Sequence, residues 1–250
     1  MAIYLKKFET QAAYEAAESS LILPNVSLTV DNNTVHYNPS TPPTPPTPTH
    51  DYVEIGGIKW ATMNVGANSI TDTGLYFQWA DTQGYTAAQV GEGEGQKYFG
   101  QDDCIYYDTE NYSYTKYNSE DGLITLQATD DAVKAAWGGN WRMPTKEEYT
   151  TLLSATTSAW TADYQGSGVA GVVLTDNGDN SKTLFFPACG YAREGSKREV
   201  GDYGYYWSSS IDTIYSGTDV HVLFFGSNFV FYDSSTLRAF GCPVRGILDA

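Results

Sequence analysis

Four groups of residues have the types, though not the spacing, that chemistry needs. Gly91-Glu92-Gly93-Glu94-Gly95 has the glycine density of a phosphate cradle, but such a loop needs a strand before it and a helix after it. Neither flank is there, so the run reads as a flexible acidic loop. Ser208-Ser209-Ser210 offers hydroxyl nucleophiles, yet it lies in no nucleophile-elbow sequence and no His-Asp pair is placed nearby to activate it. Asp102-Asp103 and Asp176-Asn177-Gly178-Asp179-Asn180 could attract calcium. The second lacks the downstream glutamate of an EF-hand loop and reads better as a hairpin turn. Cys104, Cys189 and Cys242 form an odd set without metal-like spacing, and His36, His50 and His221 are equally scattered, so neither a zinc site nor a disulfide framework is indicated. The expectation is a chain with no catalytic residues, no metal and no cofactor: not an enzyme.

What remains is surface for recognition, concentrated in the last fifth of the chain. Tyr203, Tyr205, Tyr206 and Trp207 form an aromatic block before the three serines. Val220 to Phe225 and Phe229 to Tyr232 are apolar runs joined by Gly226-Ser227-Asn228, the pattern of a β-hairpin. Alternation along the strand puts His221, Leu223 and Phe225 on one face and Val222 and Phe224 on the other. Either both faces are buried, or one is an exposed aromatic patch used for binding. The same stretch is marked by what it lacks. The chain holds 9 Lys, 12 Glu, 8 Gln, 3 Met and 6 Trp, and none of these lies in the 43 residues from Ser208 to Ala250. Strands are poor in Lys, Glu and Gln for structural reasons, which does not account for losing all five types together.

The elements that must carry this surface can be placed in outline. At 250 residues with a formal charge of −16, the chain can bury one sizeable core, and its charge argues against nucleic acid or an anionic membrane as partner. Tyr is the dominant aromatic, with 20 copies, and suits either a recognition surface or an ordinary β-rich domain. No run reaches the ~18 apolar residues of a membrane span, and the opening residues lack the pattern of a secretory signal, so synthesis in a bacterial cytoplasm is expected. Residues 1–38 form a small unit: a helix over Thr10 to Ser19, then strands over Leu21 to Val30 and Thr34 to Tyr37. Too small to hold a core, this unit is expected to associate with copies of itself, a trimer being the guess, or to anchor on a larger assembly. Residues 39–50 contain six of the ten prolines and read as an extended, semi-rigid linker. Residues 51–250 form the main domain. Its expected elements are a hairpin over Tyr52 to Ala61, a strand over Gly74 to Ala80, a Tyr-rich loop over Gly84 to Gly122 and helices at Thr129 to Trp137 (capped by Thr129) and Thr145 to Leu153 (with a Thr145/Glu148 capping box). Strands follow at Val169 to Leu174 and Thr183 to Phe186. Short helices early and strands late imply an α+β domain with an antiparallel sheet.

Several phrases, in order, resemble one family: WATMNVGA at 60–67, ATDDAVKAAWGGNWRMPTKEEY at 128–149, LFFPACGY at 184–191, GYYWSSS at 204–210 and GCPVR at 241–245. Together they resemble C-type-lectin-fold domains of the formylglycine-generating-enzyme type, found in gut anaerobes and their phages, over about residues 52–247. Some members are variable proteins of diversity-generating retroelements, which randomise adenines in AAY codons at the end of the target gene. Such codons never yield Lys, Glu, Gln, Met or Trp, the five types missing after Trp207. The resemblance implies scaffold positions at Trp207, Leu223, Phe225, Val230, Arg238, Gly241, Val244 and Arg245. It implies displayed, ligand-binding positions at Ile211, Asp212, Ile214, Tyr215, Asp219, Val222, Phe224, Phe229, Phe231, Asp233, Leu237 and Phe240. The implied function is a receptor-binding protein, a phage tail host-attachment protein in the virion, whose partner is a host cell-surface protein or glycan; the alternative is a bacterial cell-surface adhesin. The calcium-and-sugar motifs of the family's lectins are absent. Cys189 and Cys242 look incidental rather than the reactive pair of the formylglycine-generating enzymes, which remain the more distant alternative.

Overall fold

The structure, a computed structural model, describes residues 27–31, 34–38, 50–215 and 217–249. The chain divides into two units, Met1–Thr47 and Pro48–Ala250. In the first, β1 (Ser27–Asp31) and β2 (Thr34–Asn38) pair antiparallel with Asp31 opposite Thr34. The expected helix at Thr10 to Ser19 and nearly all of the linker lie outside the described residues.

The second unit is built from β3 (Tyr52–Ile55), β4 (Ile58–Asn64), β5 (Tyr107–Asp108), β6 (Ser113–Tyr114), α1 (Ala132–Trp137), β7 (Trp141–Arg142), α2 (Lys146–Ser154), β8 (Thr156–Thr161), β9 (Gly171–Asp176), β10 (Thr183–Pro187), β11 (Tyr191–Arg193), β12 (Ser196–Arg198), β13 (Gly204–Ile211), β14 (Asp219–Gly226), β15 (Phe229–Leu237) and β16 (Arg245–Leu248). These strands form small sheets ordered β3-β4-β16-β7, β10-β9-β8 and β13-β14-β15, with the ribbons β5-β6 and β11-β12, and every strand pairing is antiparallel. β16 pairs with β4, Ile247 opposite Trp60, so the end of the domain is sewn to its beginning.

This corrects the expected fold class. The α+β domain with a C-type lectin fold is not what is found: several small antiparallel sheets dominate, and the two α-helices of the described residues span only six and nine residues. The helices stay short for local reasons. α1 is stopped by Gly138 at φ 65°, a left-handed conformation that glycine takes at no steric cost. Its cap is Asp131, whose carboxylate accepts from the Lys134 N–H, and not Thr129. α2 has the expected capping box, with Thr145 and Glu148 satisfying each other's backbone N–H groups. Between the helices and the hairpin the chain returns to strands, including β8, which lacked a clear alternating pattern. Gly74 to Ala80 makes only isolated bridges, Tyr76 to Tyr85 and Phe77 to Cys242.

Two apolar clusters fill the domain, and the sheet β13-β14-β15 divides them. Trp207, Val220 and Val222 join Trp79, Trp141 and Val244 on one side. Tyr206, Leu223 and Phe225 join Trp60, Tyr149, Leu174 and Phe186 on the other. Two buried indoles find acceptors where the chain crosses itself: Trp207 Nε1 donates to the Phe77 carbonyl at 2.8 Å and Trp79 Nε1 to the Ser208 carbonyl at 2.9 Å. Two buried arginines pin distant segments through carbonyls rather than carboxylates. Arg245 donates to Ala61, Thr62 and Phe185, and to the Asn64 side chain, all within 3.0 Å. Arg238 donates to the carbonyls of Gly217, Lys116 and Tyr117 at 3.1–3.3 Å and stacks over the Tyr114 ring at 3.8 Å. Burial lowers both guanidinium pKa values.

Candidate functional site

The residues with chemical potential are consumed by structure. Ser208 donates its hydroxyl to the His221 carbonyl at 2.7 Å, Ser209 to the Pro144 carbonyl at 3.2 Å, and Ser210 accepts from the Lys146 N–H at 3.1 Å. All three are buried, and they create the irregularity in β13 that lets Trp207 face Val222 while Ile211 faces Val220. Asp176 accepts from the backbone N–H groups of Gly178 and Asp179, and Asp179 from Ser181, so these carboxylates close a turn. The thiols of Cys104, Cys189 and Cys242 are free and buried, and burial pushes that of Cys104 up to about 11. Among the described residues no three of His, Cys, Asp and Glu are grouped to hold a metal ion.

The twelve positions expected to be displayed divide by burial. Ile214, Phe231 and Leu237 are exposed, at 80%, 53% and 43%, while Asp219, Phe224 and Phe229 are half-buried. The side chains of Tyr215 and Asp233 lie outside the described set. Ile211, Asp212, Val222 and Phe240 are buried and are corrected: they are not displayed. Asp212 is held by turn-making, accepting from the Ile214 N–H at 2.9 Å. Val222, at 1% exposure, is core. Alternation along β14 holds, with Val220, Val222 and Phe224 on one face and Leu223 and Phe225 on the other; Val222 is buried because its face is covered by the cluster around Trp79 and Trp207.

The exposed and half-buried rings assemble into a single strip, backed at one end by the buried Phe240. Register places Tyr205 of β13 opposite Phe224 of β14, and Phe224 opposite Phe231 of β15, so three aromatics line up across three strands. Ring centroids run Phe240–Tyr191 at 4.9 Å, Tyr191–Tyr205 at 5.1 Å, Tyr205–Phe224 at 4.6 Å, Phe224–Phe229 at 4.9 Å and Phe229–Phe231 at 5.0 Å. Tyr203 flanks Phe224 at 5.8 Å and Phe229 at 6.0 Å. Aromatic rings at these separations attract beyond their area burial, and the ladder stiffens its own surface. Tyr191, Tyr203 and Tyr205 were not among the expected positions. The signal for Tyr205 was present: its neighbour Tyr206 is core, so alternation sends Tyr205 to the other face.

Electrostatics around the strip differ from the acidic whole. The ribbon β11-β12 brings Arg193, Lys197 and Arg198 beside it, with Arg193 over the Phe240 ring at 5.0 Å and paired with Glu194 at 3.0 Å. Tyr205 donates to Glu199 at 2.8 Å, and burial with this carboxylate beside it raises the phenol pKa. The arrangement has no nucleophile or general base poised over a cleft. It offers ring faces, edges and a balanced polar rim, the anatomy of a contact surface.

No family model, curated protein or solved structure matches this chain. The phrases that resemble formylglycine-generating-type domains therefore stand without a matching fold, and the C-type lectin fold is set aside.

Proposed function

We propose that the chain is a binding protein whose contact surface is the aromatic strip with the neighbouring exposed residues Ile214 and Leu237, diversified by a retroelement and used for host attachment by a phage tail. The observation that carries this reading is a coincidence of two independent properties in one segment. After Trp207 the chain carries none of the five residue types that randomised AAY codons cannot encode. The same segment leaves Ile214, Phe231 and Leu237 open to solvent, where a domain with no partner gains nothing from large apolar side chains. Strand composition alone accounts for the first property only in part and for the second not at all. The partner is a host cell-surface protein or glycan, and copies joined through residues 1–38, as a trimer, add avidity to weak single contacts. Light scattering should give a multimer for the full chain and a monomer for residues 48–250; equal subunit masses contradict the assembly.

The deciding experiment is on the DNA downstream of the gene. The reading expects a near-copy of the codons for residues after Trp207, differing at adenines, beside a reverse transcriptase gene. A downstream region with neither feature removes the diversification from the proposal.

A further inference from the structure

We propose that a second site, a groove of about 510 Å³ between the ribbon β5-β6 and Thr218, binds a neutral saccharide. Its volume lies in the range of small-ligand sites, ~300–1,000 Å³. The groove is lined by Gln101, Tyr107, Tyr112, Asn118 and Glu120 among others, and shares no residue with the aromatic strip. Either site can fail its test without the other.

The groove wall is firmly held. Tyr107 pairs with Tyr114 and Asp108 with Ser113, and the Asp108 carboxylate accepts from the backbone of Glu110 and Asn111 and from the Asn111 amide, at 2.7–3.1 Å. Behind the wall, Arg238 stacks on Tyr114 and ties the carbonyls of Lys116 and Tyr117 to that of Gly217, next to Thr218. On this support Tyr112 is 80% exposed and held at φ 52°, a left-handed conformation that a bulky side chain rarely adopts. The turn between β5 and β6 takes this conformation at its last residue, and it leaves the ring on the outside, open to a partner.

The lining chemistry selects the ligand. The hydroxyls of Tyr107 and Tyr112, the Gln101 amide and the Glu120 carboxylate make no side-chain hydrogen bond within the described residues, so donors and acceptors stand ready around an aromatic face. Glu120 is the one charged side chain among the lining residues. The nearby ammonium of Lys116 is already engaged by Asp130 at 2.6 Å, so an anionic ligand meets repulsion without a counter-charge. A cationic ligand finds one carboxylate, Glu120, among otherwise neutral lining groups. A neutral pyranose fits both features: its C–H face lies on a Tyr ring, and its hydroxyls pair with the amide, the phenols and Glu120.

The test uses the full chain on a printed array of neutral, sialylated and sulfated oligosaccharides. The wild type should retain neutral glycans, and Tyr112→Ala should lose about tenfold in affinity, roughly one aromatic contact, with an unchanged melting temperature. Gln101→Ala should lose less, and Phe231→Ala, on the strip, should lose nothing. No retention of neutral glycans, a preference for acidic ones, or binding that survives Tyr112→Ala overturns the proposal. Loss in Phe231→Ala equal to that in Tyr112→Ala overturns it too, because the sugar would then sit on the strip.

Discussion

Two neighbouring pairs in the same sheet show how position, rather than residue type, assigns roles. Tyr206 and Phe225 are fully buried, between the sheet and the cluster around Trp60 and Phe186. Tyr205 and Phe224, each one residue away, are half-buried and belong to the strip that reaches the exposed Phe231. Tyr206 donates to the Pro187 carbonyl at 2.9 Å and meets Asn64 and Cys189, so its hydroxyl is locked inside. The Tyr205 hydroxyl points to Glu199 at the rim. One face is core throughout, while on the other the core at Trp207 and Val222 gives way to the strip at Tyr205 and Phe224, so buried and half-buried rings should respond differently to the same truncation.

The largest effect is expected where the sheet meets the core. Trp207→Ala and Phe225→Ala should each cost ~3–5 kcal/mol, the range for deleting a buried large aromatic. Chemical denaturation of each variant checks this, and a loss below about 1 kcal/mol would remove the buried rings from the comparison.

Next comes the anchor of the Tyr-rich segment. Asp130 accepts from Lys116, Tyr117, Tyr106 and Thr129 at 2.5–3.1 Å. Burial alone raises its pKa, but these hydrogen bonds together outweigh burial and hold it below the ordinary 3.8. A carboxylate with a lowered native pKa contributes stability that is present above 3.8 and is lost as pH falls through the native value. Asp130→Asn should therefore cost ~2–3 kcal/mol at pH 7 and flatten the decline in stability below pH 4. An unchanged acid profile would contradict the anchoring role.

Smaller effects separate the rim. Phe224→Ala, half-buried against the core, should cost an intermediate ~1–2 kcal/mol, and Phe231→Ala no more than about 0.5 kcal/mol. Equal losses at Phe224 and Phe225 would mean that the hairpin is buried evenly on both faces.

Some of this was legible in the sequence and some was not, for identifiable reasons. The β14–β15 hairpin, the β9–β10 hairpin and the α2 capping box follow from local alternation, turn residues and the Thr145/Glu148 spacing, which act over a few residues. The strand β8 and the burial of Val222 depend on partners far along the chain, whereas the Asp131 cap is local and was missed because Thr129, two residues earlier, is also a preferred capping type. Val222 is the clearest case: alternation gives its face correctly, but that face is covered by Trp79, Trp141 and Val244, which come from distant parts of the chain. The fold class failed for the same reason. Phrases such as those at 60–67 and 241–245 specify strands and turns, while the assembly of small sheets depends on pairings such as Ile247 with Trp60 that no short phrase encodes. Of the contact surface, Phe224 was legible from alternation, while Phe229 and Phe231 were positions the family resemblance implied as displayed. Tyr191 came from outside the segment and was brought in by tertiary packing against Phe240 and Tyr205.

The measurement that bears most directly on the strip as a binding surface is attachment of the labelled full chain to a panel of intact gut-anaerobe cells, with thermal unfolding measured on the same preparations. The account predicts attachment by the wild type and at least tenfold weaker attachment by Phe229→Ala/Phe231→Ala, with the melting temperature shifted by only a few degrees. Attachment unchanged in this double variant, or no attachment by the wild type to any cell, would contradict it.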